Sequence, residues 1–128
     1  MIYVDTSVAL AQLMAEDRCP PAEFWEGGLV TSRLFEYELW TAIHRRRLER
    51  THGEAARRMV ESLAIAELSR GVLQRATEPF PSPVRTLDAI HLATLLFLQE
   101  QGLSMELATY DRRMSEAADA LGVSLTDC

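Results

Sequence analysis

The chain has 128 residues, with 13 Lys or Arg against 19 Asp or Glu for a net charge of -6, and it is 48% hydrophobic and 25% charged. That length fits one domain with a real core and is too short for two; the composition is globular rather than disordered or repetitive, and the acidic balance argues against nonspecific coating of nucleic acid. The longest apolar run, Ala89 to Leu98, is broken by His91 and Thr94, and no basic leader precedes an apolar run, so a soluble, cytoplasmic single domain over residues 1–128 with no membrane span is expected.

Met1 to Ser7, MIYVDTS, opens the chain with a strand candidate. Ile2, Tyr3 and Val4 suit a strand, whereas Asp5, Thr6 and Ser7 end one and cap a helix. A carboxylate at the carboxyl end of a parallel strand stands where open α/β sheets place their ligands, which makes Asp5 a site candidate. Helix capping by Asp5 or Thr6 is the alternative. Val8, Leu10, Ala11, Leu13 and Met14 space as a short amphipathic helix, stopped by Cys19, Pro20 and Pro21. Cys19 and Cys128 lie far apart without a Cys or His partner at metal-ligand spacing, and they read as reduced thiols.

A brief helix over 22–25 meets Gly27 and Gly28, and Leu29 to Thr31 form a second strand candidate. Ser32 then caps a longer helix marked by Leu34, Leu39, Trp40, Ile43 and Leu48, with Glu36 and Glu38 in its early turns. Thr51 or His52 with Gly53 marks a turn into an antiparallel helix running from Ala56 to Ile65. All thirteen basic residues are Arg, and six of them fall between His44 and Arg58 against only Glu49 and Glu54. That hairpin is basic in an otherwise acidic chain. Guanidinium forks at Arg45, Arg46 and Arg47 suit phosphate; a solvated helix face with local ion pairs is the bland alternative.

Gly71 opens a third strand candidate, Val72 to Ala76, followed by the proline-broken loop EPFPSPVR from Glu78 to Arg85. Phe80 between Pro79 and Pro81 either anchors this loop or stacks on a base. Thr86 caps a strongly apolar helix ended by Gly102, with Asp88 in its first turn and His91 one turn later. His91 is expected as a buried, hydrogen-bonded core residue rather than a ligand or proton relay. Leu107 to Thr109 form a fourth strand that delivers Asp111, a helix follows from about Arg112 to Leu121, and Val123 to Leu125 form a fifth strand. Arg112 and Arg113 beside Asp111 either grip phosphate or are ordinary cap-proximal charge. Strands alternating with helices predict an α/β chain with a mostly parallel sheet covered on both faces.

Four acids share one kind of setting. Asp5 and Asp111 follow apolar strands, Asp88 opens a buried helix, and Glu38 lies early in a helix after a strand. Gathered carboxylates repel one another and resist desolvation, so a fold that collects them needs protons or divalent cations. Hard Mg²⁺ or Mn²⁺ suits an all-oxygen donor set. Such ions hold a phosphate, lower the pKa of water and neutralise charge in the transition state, which is phosphodiester hydrolysis without a catalytic His or Lys.

VDTS at Val4 to Ser7, SRLFEYEL at Ser32 to Leu39, LDAIHLAT at Leu87 to Thr94, and ATYDRRM followed by ADALGV resemble the PIN-domain ribonucleases, and among them the VapC-type toxins, over nearly the whole length. The resemblance implies a three-layer α/β/α sandwich with the first strand central, and an Mg²⁺-dependent endoribonuclease (Mn²⁺ being the alternative ion) silenced by a protein antitoxin and usually paired as a homodimer. By resemblance, Asp5, Glu38, Asp88 and Asp111 take the four acidic positions and Thr109 the small hydroxyl before the last, with Thr6 and Ser7 as further support. Three other readings remain in view: a PIN-type RNA-processing nuclease outside a toxin system, a catalytically idle RNA-binding or assembly module, and a haloacid-dehalogenase-type phosphatase, which would want an acid where Ser7 stands.

Overall fold

The computed structural model describes all 128 residues, and in it the apolar strand segments line up side by side. Five strands, β1 (Ile2–Val4), β2 (Leu29–Ser32), β3 (Ala64–Ala66), β4 (Glu106–Ala108) and β5 (Ser124–Leu125), form one sheet in the order β3-β2-β1-β4-β5. Every pairing is parallel, and β1 lies at the centre, held by Ile2 against Leu29 on one side and Glu106 on the other. Six α-helices connect and cover the strands: α1 (Thr6–Leu13), α2 (Arg33–Arg45), α3 (Glu49–Ser62), α4 (Arg70–Ala76), α5 (Thr86–Glu100) and α6 (Arg112–Ala120). No helix is long and apolar enough to cross a membrane.

Alternation along β1 creates two cores, because successive side chains of a strand point to opposite faces. Tyr3 enters a cluster with Leu92 and Leu95 of α5 and Met114 of α6. Val4 enters the other with Val8 of α1, Phe35, Leu39 and Ile43 of α2, and Ala56 of α3. The result is the three-layer sandwich expected from the sequence.

Three local expectations are corrected. The segment Val72–Ala76 is not a strand but most of helix α4, whose N-terminus is capped when Val72 N–H donates to Ser69 Oγ at 3.2 Å. Only Val72 of that helix is buried, and α4 packs on α5. The third strand is Ala64–Ala66, paired with β2 from Val30 to Ser32; its small AIA sequence blends into the apolar spacing of the helix before it.

The turn expected at Thr51–Gly53 lies earlier, at Arg46 to Leu48, where Arg47 takes φ +55°. Thr51, His52 and Gly53 belong to α3, and Gly53 is buried beneath the Trp40 indole. Finally, Thr86 does not cap α5. It is the first helical residue, and Arg85 holds the cap position without a side-chain hydrogen bond.

Candidate active site

The carboxyl ends of β1, β2 and β4 open on a cleft of about 620 Å³ lined by Asp5, Glu38, Asp88 and Asp111 together with Thr6 and Ser7. Asp5 follows β1 directly, and its amide donates to Ala108 O at 3.0 Å, which fixes the backbone at the carboxyl end of the central strand. Although it occupies the cap position of α1, its carboxylate caps nothing. Instead Oδ2 accepts from Ser7 Oγ at 2.6 Å and Thr109 Oγ1 at 2.8 Å. Asp5 is buried, and Oδ1 has no protein partner.

Glu38 reaches the cleft from the second turn of α2, whose start is fixed by Leu34 N–H donating to Ser32 Oγ at 3.0 Å. Its Oε1 accepts from Thr6 Oγ1 at 2.9 Å and from His91 Nε2. Glu36 faces elsewhere and pairs with Arg33 at 2.7 Å. Of the two early acids of α2, Glu38 lines the cleft and Glu36 does not.

Asp111 has two roles. Its Oδ1 accepts from Arg113 N–H at 2.8 Å and Met114 N–H at 3.3 Å, capping α6, while its own amide donates to Thr109 Oγ1 at 3.0 Å. The other carboxylate oxygen is free of protein hydrogen bonds.

The Asp88 carboxylate accepts no hydrogen bond and is half-buried in the first turn of α5. Burial, reinforced by the charges of Asp111 and Asp5, pushes its pKa up to about 6, against the opposing pull of His91 and Arg85. Asp88 therefore senses both other aspartates electrostatically.

The expected basic contacts divide. Arg45 lines the cleft, whereas Arg46 and Arg47 sit in the turn beyond α2 and Arg112 Nε pairs with Glu116 at 3.0 Å outside it. Arg57 and Arg58 pair with Glu54, so the α3 side of the basic hairpin is a solvated ion-pair face. The sequence analysis missed Arg85 and Tyr37, which also line the cleft. Their only signal was position: Tyr37 precedes Glu38, and Arg85 stands three residues before Asp88. Phe80 packs partly against the α5 core with the Arg75 guanidinium 4.5 Å from its ring centre, which makes it a loop anchor.

Carboxylates with unpartnered oxygens, no sulfur or imidazole donor free, and one acid pushed toward protonation by burial and by its acidic neighbours are a donor set that fits a hard divalent cation. No three of the acids converge on a single point. A divalent ion here would therefore be held by one or two of the carboxylates, with water and substrate phosphate completing its shell.

A family model described as "PIN domain" matches residues 2–120. The chain belongs to the PIN-domain family. Among PIN-domain relatives, it is 34% identical to Ribonuclease VapC35 of Mycobacterium tuberculosis over 98% of this chain and 95% of that one. Ribonuclease VapC46 of the same species is 41% identical over 56% of this chain, a match spanning about half of its own length (54%). Two solved structures share the PIN-like fold. A toxin-antitoxin complex from Klebsiella pneumoniae superposes with TM-score 0.66 at 16% identity, covering 98% of this chain and 97% of the other. Mycobacterium tuberculosis VapC20, described as a Sarcin-Ricin loop cleaving toxin, gives 0.64 at 20% identity, covering 91% and 95%.

Proposed function

We propose that the acidic cleft is the catalytic centre of a divalent-metal-dependent endoribonuclease and that the protein is the toxin of a toxin–antitoxin pair. The observation that carries this reading is the meeting of Asp5, Glu38, Asp88 and Asp111 around one cleft from four separate parts of the chain. Full-length similarity to a VapC ribonuclease supports it.

Asp5, Glu38, Asp88 and Asp111 would hold Mg²⁺ or Mn²⁺, which when bound would supply water activation and neutralise charge on the phosphate. The chain's own residues prepare that site. Ser7 and Thr109 hold Asp5 Oδ2, Thr6 holds Glu38, and the start of α6 holds Asp111 Oδ1, so each acid keeps an oxygen for the cleft. Arg45 and Arg85 contribute positive charge to an otherwise acidic cleft and suit the phosphates flanking the one attacked. Exposed Tyr37 offers a ring to an unstacked base.

The antitoxin would lie over the cleft and bring an Arg or Lys into it, where a cation relieves the carboxylate repulsion that the metal otherwise relieves. A complex that still cleaved RNA fully would overturn that account. A homodimer in the cytoplasm completes the proposal, and light scattering showing only a 14.4 kDa species at micromolar concentration would remove the dimer.

The deciding assay is RNA cleavage on a gel, with Mg²⁺ and with EDTA, for wild type and Asp88→Asn. Metal-dependent cleavage lost in the variant is the expected result. RNA binding without cleavage by wild type would favour the idle binding module instead.

A further inference from the structure

We infer that His91, steadied by Tyr3, is a positioning residue that fixes Glu38 through Oε1 and leaves Oε2 for the cleft. This rests on reading Glu38 as part of a metal-binding acid set and deepens that reading. His91 is 1% exposed and lies on α5 one turn after Asp88. Its Nδ1 is 2.7 Å from the Tyr3 hydroxyl, and its Nε2 meets Glu38 Oε1.

Proton accounting orients the chain. The Tyr3 hydroxyl, an ordinary phenol at neutral pH, stands at hydrogen-bond distance from Nδ1 and occupies that nitrogen. Nε2 carries a proton, because only then can the Glu38 carboxylate oxygen accept from it. Both imidazole nitrogens are therefore occupied within the protein. His91 is not itself free to bind a metal.

The consequence falls on Glu38. A glutamate on a helix has three side-chain torsions, and ordering them on binding an ion would cost affinity. Here Thr6 from the start of α1 and His91 from α5 donate to the same Oε1, so the side chain is ordered in advance. Tyr3 anchors the arrangement at the centre of the sheet, fully buried, with its ring edge-on to the imidazole at 5.8 Å. Partners that orient a ligating carboxylate commonly matter about 10- to 100-fold in metal affinity.

The alternative role, simple filling of the core, is separable by experiment. Full-length protein would be titrated with Mn²⁺ and followed by electron paramagnetic resonance, with folding checked by thermal melting. His91→Phe keeps the volume and removes the donor; it should weaken Mn²⁺ binding by roughly tenfold. His91→Gln, whose amide can still donate to Oε1, should recover part of that loss. In a Glu38→Gln background the Phe change should add little. An undiminished effect there would show a structural role and overturn the inference.

If Glu38→Gln alone leaves Mn²⁺ affinity unchanged, the metal reading of Glu38 fails. If it weakens binding while folded His91→Phe binds as wild type does, only the positioning role fails. Should His91→Phe not fold, Tyr3→Phe decides, since it keeps the imidazole and removes only the outer hydroxyl. A severalfold loss supports the inference, and unchanged affinity overturns it.

Discussion

Thr109 Oγ1 donates to Asp5 Oδ2 at 2.8 Å across 104 residues of sequence and, through the same oxygen, accepts the Asp111 amide at 3.0 Å. One hydroxyl thus ties the acid after β1 to the acid after β4. Thr109→Val keeps the shape but strands the part-buried Asp111 amide and removes a carboxylate donor, which should cost about 1–3 kcal/mol. Thr109→Ser should cost far less. Thermal melts in EDTA measure the difference, and Thr109→Val melting like wild type would show that the link is incidental.

Arg85 lines the cleft beside Asp88 without a salt bridge, so its guanidinium is available to a phosphate. Arg85→Gln should raise KM for RNA several-fold with a smaller change in kcat, and should flatten the salt dependence of binding by about one phosphate contact. Arg85→Lys keeps the charge but loses the fork, so an intermediate result is expected. A change confined to kcat would place Arg85 in the chemistry rather than in binding.

All four acids stood out by their settings in the sequence. Asp5 and Asp111 follow apolar strand candidates, Asp88 opens a buried helix and Glu38 lies early in a helix after a strand, and the fold brings all four to one cleft. What remained hidden depends on distance in sequence. The Glu38–His91 contact spans 53 residues, so nothing local distinguishes His91 from any other buried histidine. Similarly, Ala64–Ala66 becomes a strand only because Val30 to Ser32 offer it an edge. Arg85 sits in a proline-rich loop whose path no periodicity predicts.

Gly53 was a turn signal in the sequence and is a helix-interior residue in the fold, so it yields a direct test of that correction. A β-carbon built there meets Trp40 Cη2 at 3.5 Å, ordinary contact distance. Gly53→Ala should therefore stabilise the protein by about 0.5–1 kcal/mol through lower backbone entropy in the unfolded chain. A lower melting temperature would mean that the Trp40 packing is tighter than this geometry allows.

Asp88 gives the sharpest separation of a functional acid from a structural one. Its pKa is raised from 3.8 to about 6 by burial and by Asp111 and Asp5, so the folded state holds its proton more tightly than the unfolded state does. The resulting stability is present below about pH 4 and is lost as pH rises through about 6. Asp88→Asn removes this sensitivity. Without metal, the variant should match wild type near pH 4 and be more stable above pH 6. The gain should be about 1 kcal/mol, less than the full shift implies, because the half-exposed carboxyl is screened by solvent. Added Mg²⁺ should stabilise wild type more than the variant, and wild-type cleavage should rise as pH passes through about 6 and the carboxylate ionises. Melts across pH 4 to 8, with EDTA and with Mg²⁺, alongside cleavage rates, test all three. A variant that melts lower than wild type at pH 7 without metal, yet still cuts RNA, would make Asp88 a structural residue.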